Sequence, residues 1–319
     1  MKAAFTICSL NYLSLAMTLK KSIRKTNPEL PFFIFLADKL NGVVSDESII
    51  EIETIQIPEA EFKTLTETYN IIEFNTALKP FIIEFLDREK GFTSLIYLDP
   101  DIVVYQHLDA VWNELADSEF ILTPHMIEPI QTKELDYLTL GTINTGVFNL
   151  GFIGLQITES SRKFISWWKN HLLHYGHNNI LNGEFYDQKV MNLLPVYSDK
   201  TVISRNFGLN VAEWNLHERK LSKVDGNFFV NEHHPLIFFH FSGVKMTTAA
   251  ENSQKNSQFK RTQSDQLSEL LSDYIASNIE NGFEQLKNIP CHYKLRPNIH
   301  RASRWEIYKF KLNSWLKSK

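Results

Sequence analysis

Two cysteines in 319 residues, Cys8 and Cys291, are too few and too far apart for a disulfide framework or a zinc site. A reducing, cytoplasmic setting is the expectation. Long apolar runs are missing as well: no window approaches the roughly 18 apolar residues that a membrane-crossing helix needs, so none is expected. The opening "MKAAFTICSLNYLSLAMTLKK" has its apolar run broken by Asn11, Tyr12 and Ser14, and no small-residue cleavage pattern follows. It is expected to be a buried strand, Ala3 to Cys8, and a helix, Tyr12 to Lys25, rather than a leader. An excess of one charge is also absent. A formal net charge of −4 gives no whole-chain field for wrapping nucleic acid, and no such partner is expected. The exception is local: from Lys287 to Lys319 nine Lys and Arg face Glu306 alone. Internal repeats and heptad arrays are lacking too.

What the chain does have is apolar substance. Hydrophobic residues make up 43% and aromatics 13%, enough for one large α/β domain with an appendage or for two modest domains. The first hundred residues alternate. "AAFTIC", "PFFIFLAD", "IETIQIP" and "SLIYLDPDIVVY" have the composition of strands, while "FNTALKPFIIEFLDREKG" has that of a helix ended by Gly91. Strands and helices alternating at this pace predict a mostly parallel central sheet flanked by helices. Ligands of such sheets bind beyond the carboxyl ends of the strands. Residues 9 to 12, Asp38 and the pair Asp99 and Asp101 are all expected at that rim.

The pair sits in "TSLIYLDPDIVVYQHL". Two carboxylates flanking Pro100 at the end of an apolar run are costly so close to a core unless something positive meets them. A D-x-D element at a strand end suits a hard divalent ion with oxygen ligands, Mn²⁺ or Mg²⁺. A turn with Asx-type hydrogen bonds is the plain structural alternative. A phosphohydrolase alternative also exists, because four apolar residues and D-x-D-x-V resemble the nucleophile strand of haloacid-dehalogenase-like phosphatases, with Asp99 as the nucleophile. Three β/α units precede the motif here, however, and no later Gly-Asp-x-x-x-Asp element follows.

"LIYLDPDIVVYQHLDAVW" resembles the metal-binding strand of GT-A glycosyltransferases, in particular glycosyltransferase family 8 and its relatives. "INTGVFNLG" is similar to that family's Phe-Asn-[Ser/Ala/Thr]-Gly-[Val/Met] segment, "YDQKVMN" to its Asp-Gln-Asp-x-x-Asn segment, and "FHFSGVK" to its His-[Tyr/Phe]-x-Gly segment. The four occur in the family's order over about three quarters of the chain. The resemblance implies a Rossmann-like GT-A fold and transfer of a sugar, with retention, from a nucleoside-diphosphate-sugar, expected to be a UDP-sugar. It implies Asp99, Asp101 and His240 as metal ligands, and Asn144, Asp187 and Gln188 beside the donor sugar. Lys79, Asp99, Gly243 and Lys245 are implied at the nucleotide, and Asn11, Tyr12 and Asp38 are expected beside it from their places at the ends of the first two strands. This chain has Lys245-Met-Thr where the family carries a slightly later Lys-Pro-Trp. The implied acceptor is a saccharide, lipid or protein. A nucleotide-sugar-binding protein without turnover is the non-enzymatic alternative.

Residues 1–246 are expected to form the catalytic domain, 247–266 a polar linker or loop, and 267–319 a helical, basic extension. Its last helix, about 303 to 318, places Trp305, Tyr308, Leu312, Trp315 and Leu316 on one stripe, a pattern that suits peripheral contact with an anionic membrane face through 290–319. His171 and His174 share a helical face with no carboxylate or thiol beside them and are expected at the surface. Asn210, Trp214 and His217 in "NVAEWNLHERKL" are candidates for the acceptor side.

Overall fold

The computed structural model describes residues 1–256, 259, 262 and 264–297. The expected tail helix at 303–318 lies outside the described residues. Through the first half run β1 (Lys2–Cys8), α1 (Leu13–Thr26), β2 (Phe32–Leu36), β3 (Ile49–Glu51), α2 (Glu59–Thr68), α3 (Ile71–Ala77) and α4 (Lys79–Arg88). Then come β4 (Ser94–Leu98), β5 (Ile102–Val104), α5 (Asp109–Ala116), β6 (Phe120–Leu122), α6 (Asp136–Thr145), β7 (Phe152–Gln156) and α7 (Glu159–Leu172). A hairpin of β8 (Asn178–Asn179) and β9 (Glu184–Phe185) leads to the short α8 (Leu194–Tyr197) and β10 (Thr201–Ile203). The remainder holds β11 (Val211–Ala212), β12 (Leu221–Val224), β13 (Asn227–Val230), β14 (His234–Pro235), β15 (Phe238–His240), α9 (Ala249–Lys255), α10 (Asp265–Glu280) and α11 (Phe283–Leu286).

Seven strands form the central sheet in the order β10-β6-β7-β4-β1-β2-β3, all parallel except β7. This is the mostly parallel, helix-flanked architecture expected from the alternation. The inner strands are apolar on both faces because both faces are covered. Phe5, Phe35, Leu95 and Tyr97 turn toward Ile82 and Ile83 of α4 and Trp168 of α7. Ala4, Ile34, Ile96 and Leu98 turn the other way, toward Leu19 of α1 and Val111 of α5. A third cluster joins β15 and α10 through Phe239, Leu270 and Tyr274.

The local structure departs from the sequence expectations in several places. Within 247–266, expected as a polar linker or loop, Ala249–Lys255 is helical, capped by the Thr248 hydroxyl, which accepts from the Glu251 N–H. "SLIYLDPDIVVY" is two strands: after β4 the chain turns at Asp99-Pro100-Asp101 and leaves the central sheet. β5 then pairs antiparallel with β15 in a separate three-stranded sheet, with Ile102 opposite His240. The expected single helix over "FNTALKPFIIEFLDREKG" is α3 and α4, divided at Leu78. Pro80 has no N–H and its ring crowds the preceding turn, so it suits the start of α4 and not the interior of a longer helix. In "IETIQIP" the strand is already over: β3 ends at Glu51, and Ile52–Ile55 is a 3-10 turn closed by Gln56 at φ 53°.

Candidate metal and nucleotide-sugar site

Two backbone hydrogen bonds assemble the site from three distant segments. The Asp99 N–H donates to the Gly151 carbonyl (2.7 Å), tying the end of β4 to the start of β7, and the Phe241 N–H donates to the Asp101 carbonyl (2.8 Å), tying β5 to β15. The result is that Asp99, Asp101 and His240 meet, with their ligand-type atoms within 4.8 Å of one another. Among the described residues theirs is the one group of three or more such side chains so placed. His240 Nε2 lies 3.0 Å from Asp101 Oδ1 and 3.8 Å from Asp99 Oδ2. The imidazole is 4% exposed while the carboxylates are 29% and 20% exposed, so the group opens to the cleft on its carboxylate side.

Asp99 and His240 are each held from behind. Tyr97, on β4 and two residues before Asp99, donates its hydroxyl to Asp99 Oδ1 at 2.5 Å, leaving Oδ2 toward His240. His240 Nδ1 faces Asn210 Oδ1 at 3.3 Å, and Trp214 meets the imidazole edge-on with ring centres 5.2 Å apart. Burial alone would push the His240 pKa down, yet the charge and hydrogen bond of Asp101, with Asp99 behind it, hold it above the ordinary histidine value. Burial first, and then the Asp99 carboxylate, push the Tyr97 phenol well above its usual value.

On one side of the three lies a cavity of about 380 Å³ lined by Lys79, His125, Asn149, Asp187, Gln188 and Trp214 among others. On the other is a slot of about 190 Å³ lined by Ile7, Ser9, Asn11, Tyr12, Ile71 and Asn75 among others. The two share Ile72, Thr76, Asp99 and Asp101. The carboxylate pair is thus the partition between an apolar slot and a polar cavity. Tyr12, 49% exposed, offers a ring face at the slot. Burial, and then the nearby Asp101 and Asp99, raise its phenol pKa.

The structure places the sequence candidates unevenly. Asp187 and Lys79 are both buried and form an ion pair, Nζ to Oδ2, of 2.6 Å. Lys79 Nζ also donates to the Leu150 carbonyl (2.8 Å) and lies 4.2 Å from the centre of the Tyr97 ring. Burial raises the Asp187 pKa, and the Lys79 cation opposes that rise. Gln188 Oε1 accepts from the Leu150 N–H (3.3 Å) and Asn149 Nδ2 (3.4 Å), and its Nε2 donates to the Thr145 carbonyl (3.1 Å). Asp38 does not open into the slot. It is fully buried, with its oxygens accepting from the backbone N–H groups of Leu10, Lys39 and His292. Gly243 and Lys245 lie exposed beyond β15. Gly243 adopts φ +71°, and a Cβ there would meet nothing within 4 Å. Asn144 needs correction: it is exposed on the last turn of α6, because the helix continues through Thr145 before Gly146 ends it.

Asn149, and not Asn144, lines the cavity. It precedes Gly151 and β7, and its amide faces Gln188, Asn210 and His125 in the cavity. The signal was present, since "FNLGF" over 148–152 repeats Phe-Asn-x-Gly directly before a strand. Gly151 is required there: a Cβ would come 2.4 Å from His240 Cε1 and 2.8 Å from Nδ1. His125 was not a sequence candidate. Its Nδ1 lies 3.1 Å from the Val147 carbonyl, its ring meets Trp214 with centres 5.4 Å apart, and burial pushes its pKa down to about 4. Asn210 and Trp214, expected on the acceptor side, contact His240 itself.

No protein-family model matches the sequence. The uncharacterized protein YfnF of Bacillus subtilis (strain 168) is 23% identical over 256 residues, 78% of this chain and 84% of the relative. The uncharacterized protein YfnD of the same organism is 23% identical over 207 residues, 64% of this chain and 63% of the relative. Among solved structures, the galactosyltransferase LgtC in complex with donor and acceptor sugar analogs is similar at a TM-score of 0.45 and 14% identity, over 91% of this chain and 98% of that one. The glycosyltransferase GlyE of Streptococcus pneumoniae TIGR4 is similar at 0.46 and 14% identity, over 87% of this chain and 64% of that one. A glycosyltransferase involved in glycosylation of the major capsid of PBCV-1 is similar at 0.42 and 9% identity, over 79% and 98%. At these scores and identities the neighbours assign no residue of this chain a role.

Proposed function

We propose that the chain is a glycosyltransferase that moves a sugar from a nucleoside-diphosphate-sugar, with a divalent cation held by Asp99, Asp101 and His240. The observation that carries this is the meeting of those three side chains at the carboxyl edge of the sheet, with the two carboxylates on the partition between an apolar slot and a polar cavity and His240 on the cavity side. The donor set fits a hard ion: one free carboxylate oxygen of Asp99, the Asp101 carboxylate, and an imidazole whose Nε2 faces them. When bound, Mn²⁺ or Mg²⁺ neutralises charge on a diphosphate leaving group as a Lewis acid.

The chain's own residues then divide the donor. Tyr12 and Asn11 line the slot and take the nucleoside, with a UDP-sugar as the donor. Lys245, exposed and flexible on its stem, reaches toward the phosphates, and Gly243 keeps the backbone beside them free of a side chain. The sugar fills the cavity over Asn149, Asp187 and Gln188. Lys79 fixes the Asp187 carboxylate, so the acid that faces the sugar is oriented before the donor arrives. The interlocked amides of Asn149 and Gln188 shape the floor. Transfer with retention follows from attack on the face the leaving group departs from: the C–O bond to the diphosphate breaks, the bond to the acceptor hydroxyl forms, and the departing phosphate oxygen takes the hydroxyl proton. The acceptor is a saccharide, lipid or protein in the cytoplasm or at the membrane's inner face. Residues 1–246 supply this machinery, and the segment beyond supports it: Tyr274 of α10 stacks on Phe241, with ring centres 4.0 Å apart, next to His240.

A thermal-shift panel of nucleoside diphosphates with and without Mn²⁺ tests the proposal. Stabilisation that requires both the metal and one base is expected, followed by release of that nucleoside diphosphate from its sugar conjugate. Orthophosphate as the released product would replace transfer by phosphohydrolase chemistry.

A further inference from the structure

We propose that Asn210 is the positioning residue of the cation site, fixing which nitrogen of His240 faces the ion. This rests on the cation reading above and concerns a residue outside the ligand set. Asn210 is 1% exposed, and its side chain has no freedom to turn over. Its Nδ2 donates to Thr123 Oγ1 at 2.9 Å and to Asn149 Oδ1 at 3.0 Å. Asn149 Oδ1 is itself identified as the acceptor, because it takes the Gly151 N–H at 3.1 Å while Asn149 Nδ2 points toward Gln188 Oε1 at 3.4 Å. Two acceptors on one side of the Asn210 amide leave Oδ1 for the other side, where His240 Nδ1 waits at 3.3 Å.

An amide oxygen only accepts, so Nδ1 carries the hydrogen. In a neutral imidazole Nε2 then has the lone pair, directed at the gap between Asp99 and Asp101. The same amides continue to Gln188. A main-chain N–H of Gly151 therefore sets an order of polarity that runs from the sugar cavity to the metal-facing nitrogen. Asn210 also sits at φ +53°, a left-handed conformation that Asn tolerates better than most residues. Its carbonyl accepts from Asn215 Nδ2 at 3.0 Å, and the Ala212 N–H donates to Asn215 Oδ1 at 2.9 Å, which locks the backbone there.

The backbone conformation dictates the test. Asn210→Gly keeps φ +53° without strain and removes the amide. Asn210→Asp keeps an acceptor at Nδ1 and loses the donor to Asn149, while the Thr123 hydroxyl can turn to donate to the carboxylate. Both variants are expected to melt lower than the unsubstituted chain, since both break the bond to Asn149. Mn²⁺ affinity, measured by the electron paramagnetic resonance of free Mn²⁺, is expected to separate them: about 10–100-fold weaker for Asn210→Gly, the range for lost outer-shell partners, and within a few-fold of the unsubstituted chain for Asn210→Asp. Equal weakening in both variants would make Asn210 merely structural, and undiminished affinity in Asn210→Gly would also overturn the proposal. Absence of Mn²⁺ binding by the unsubstituted chain is a separate result, which removes the cation site itself and this role with it.

Discussion

Gly151→Ala is a one-methyl perturbation aimed at the cation site from outside its ligands. The added Cβ would lie 2.4 Å from His240 Cε1, 2.8 Å from Nδ1 and 2.9 Å from Asn149 Oδ1. Carbon atoms pack comfortably at about 3.5 Å or more, so the imidazole must retreat by roughly 1 Å. It has little room to do so: β15 holds its backbone between β5 and β11, and Trp214 stands at its edge. Overpacking of this kind costs about 1–3 kcal/mol of stability. The displaced Nε2 also leaves its place 3.0 Å from Asp101. We expect a lower denaturant midpoint and Mn²⁺ affinity weakened at least tenfold, by titration of the free-ion resonance. Gly243→Ala is the control, because its Cβ meets nothing within 4 Å and only the φ of +71° is strained; bare Mn²⁺ affinity should survive it. A Gly151→Ala protein that binds Mn²⁺ as tightly as the unsubstituted chain would refute the packing argument for His240.

Lys79→Met should cost about 3–5 kcal/mol, because it leaves the buried Asp187 carboxylate without its cation. Adding Asp187→Leu should restore much of that loss in a urea titration, and a harmless Lys79→Met would contradict the pairing. The pH dependence of folding carries the mark of His125. Its folded pKa of about 4 lies below the ordinary histidine value of 6.5, with burial as the leading cause, so between those values the unfolded chain binds the extra proton and stability falls as pH falls. His125→Gln should flatten the urea midpoint over that window, and unchanged slopes would place His125 in a wetter setting.

How far the sequence carries depends on whether a feature is local. The inner strands were legible because strands buried on both faces must be apolar throughout, and "AAFTIC" and "SLIYL" are. The carboxylate pair was legible because charge at the end of such a strand needs a reason. What the strand does next was not: Ile102–Val104 continues the apolar run of β4 in composition, and only pairing with β15 shows that it belongs to another sheet. Asn144 and Asn149 each precede a glycine two residues on, and nothing local shows that α6 extends to Thr145. The contacts of Asn210 with His240, and of His125 with Trp214, join segments far apart in the sequence. No spacing or periodicity encodes them.

The account stands on the side chains at 99, 101 and 240 gripping one cation. Mn²⁺ titration in the presence of UDP, comparing the unsubstituted chain with Asp99→Asn, Asp101→Asn and His240→Gln, measures this directly. One tight Mn²⁺ per chain, weakened at least tenfold by each substitution while circular dichroism stays unchanged, is the predicted result. Three folded variants that bind Mn²⁺ as the unsubstituted chain does would contradict it.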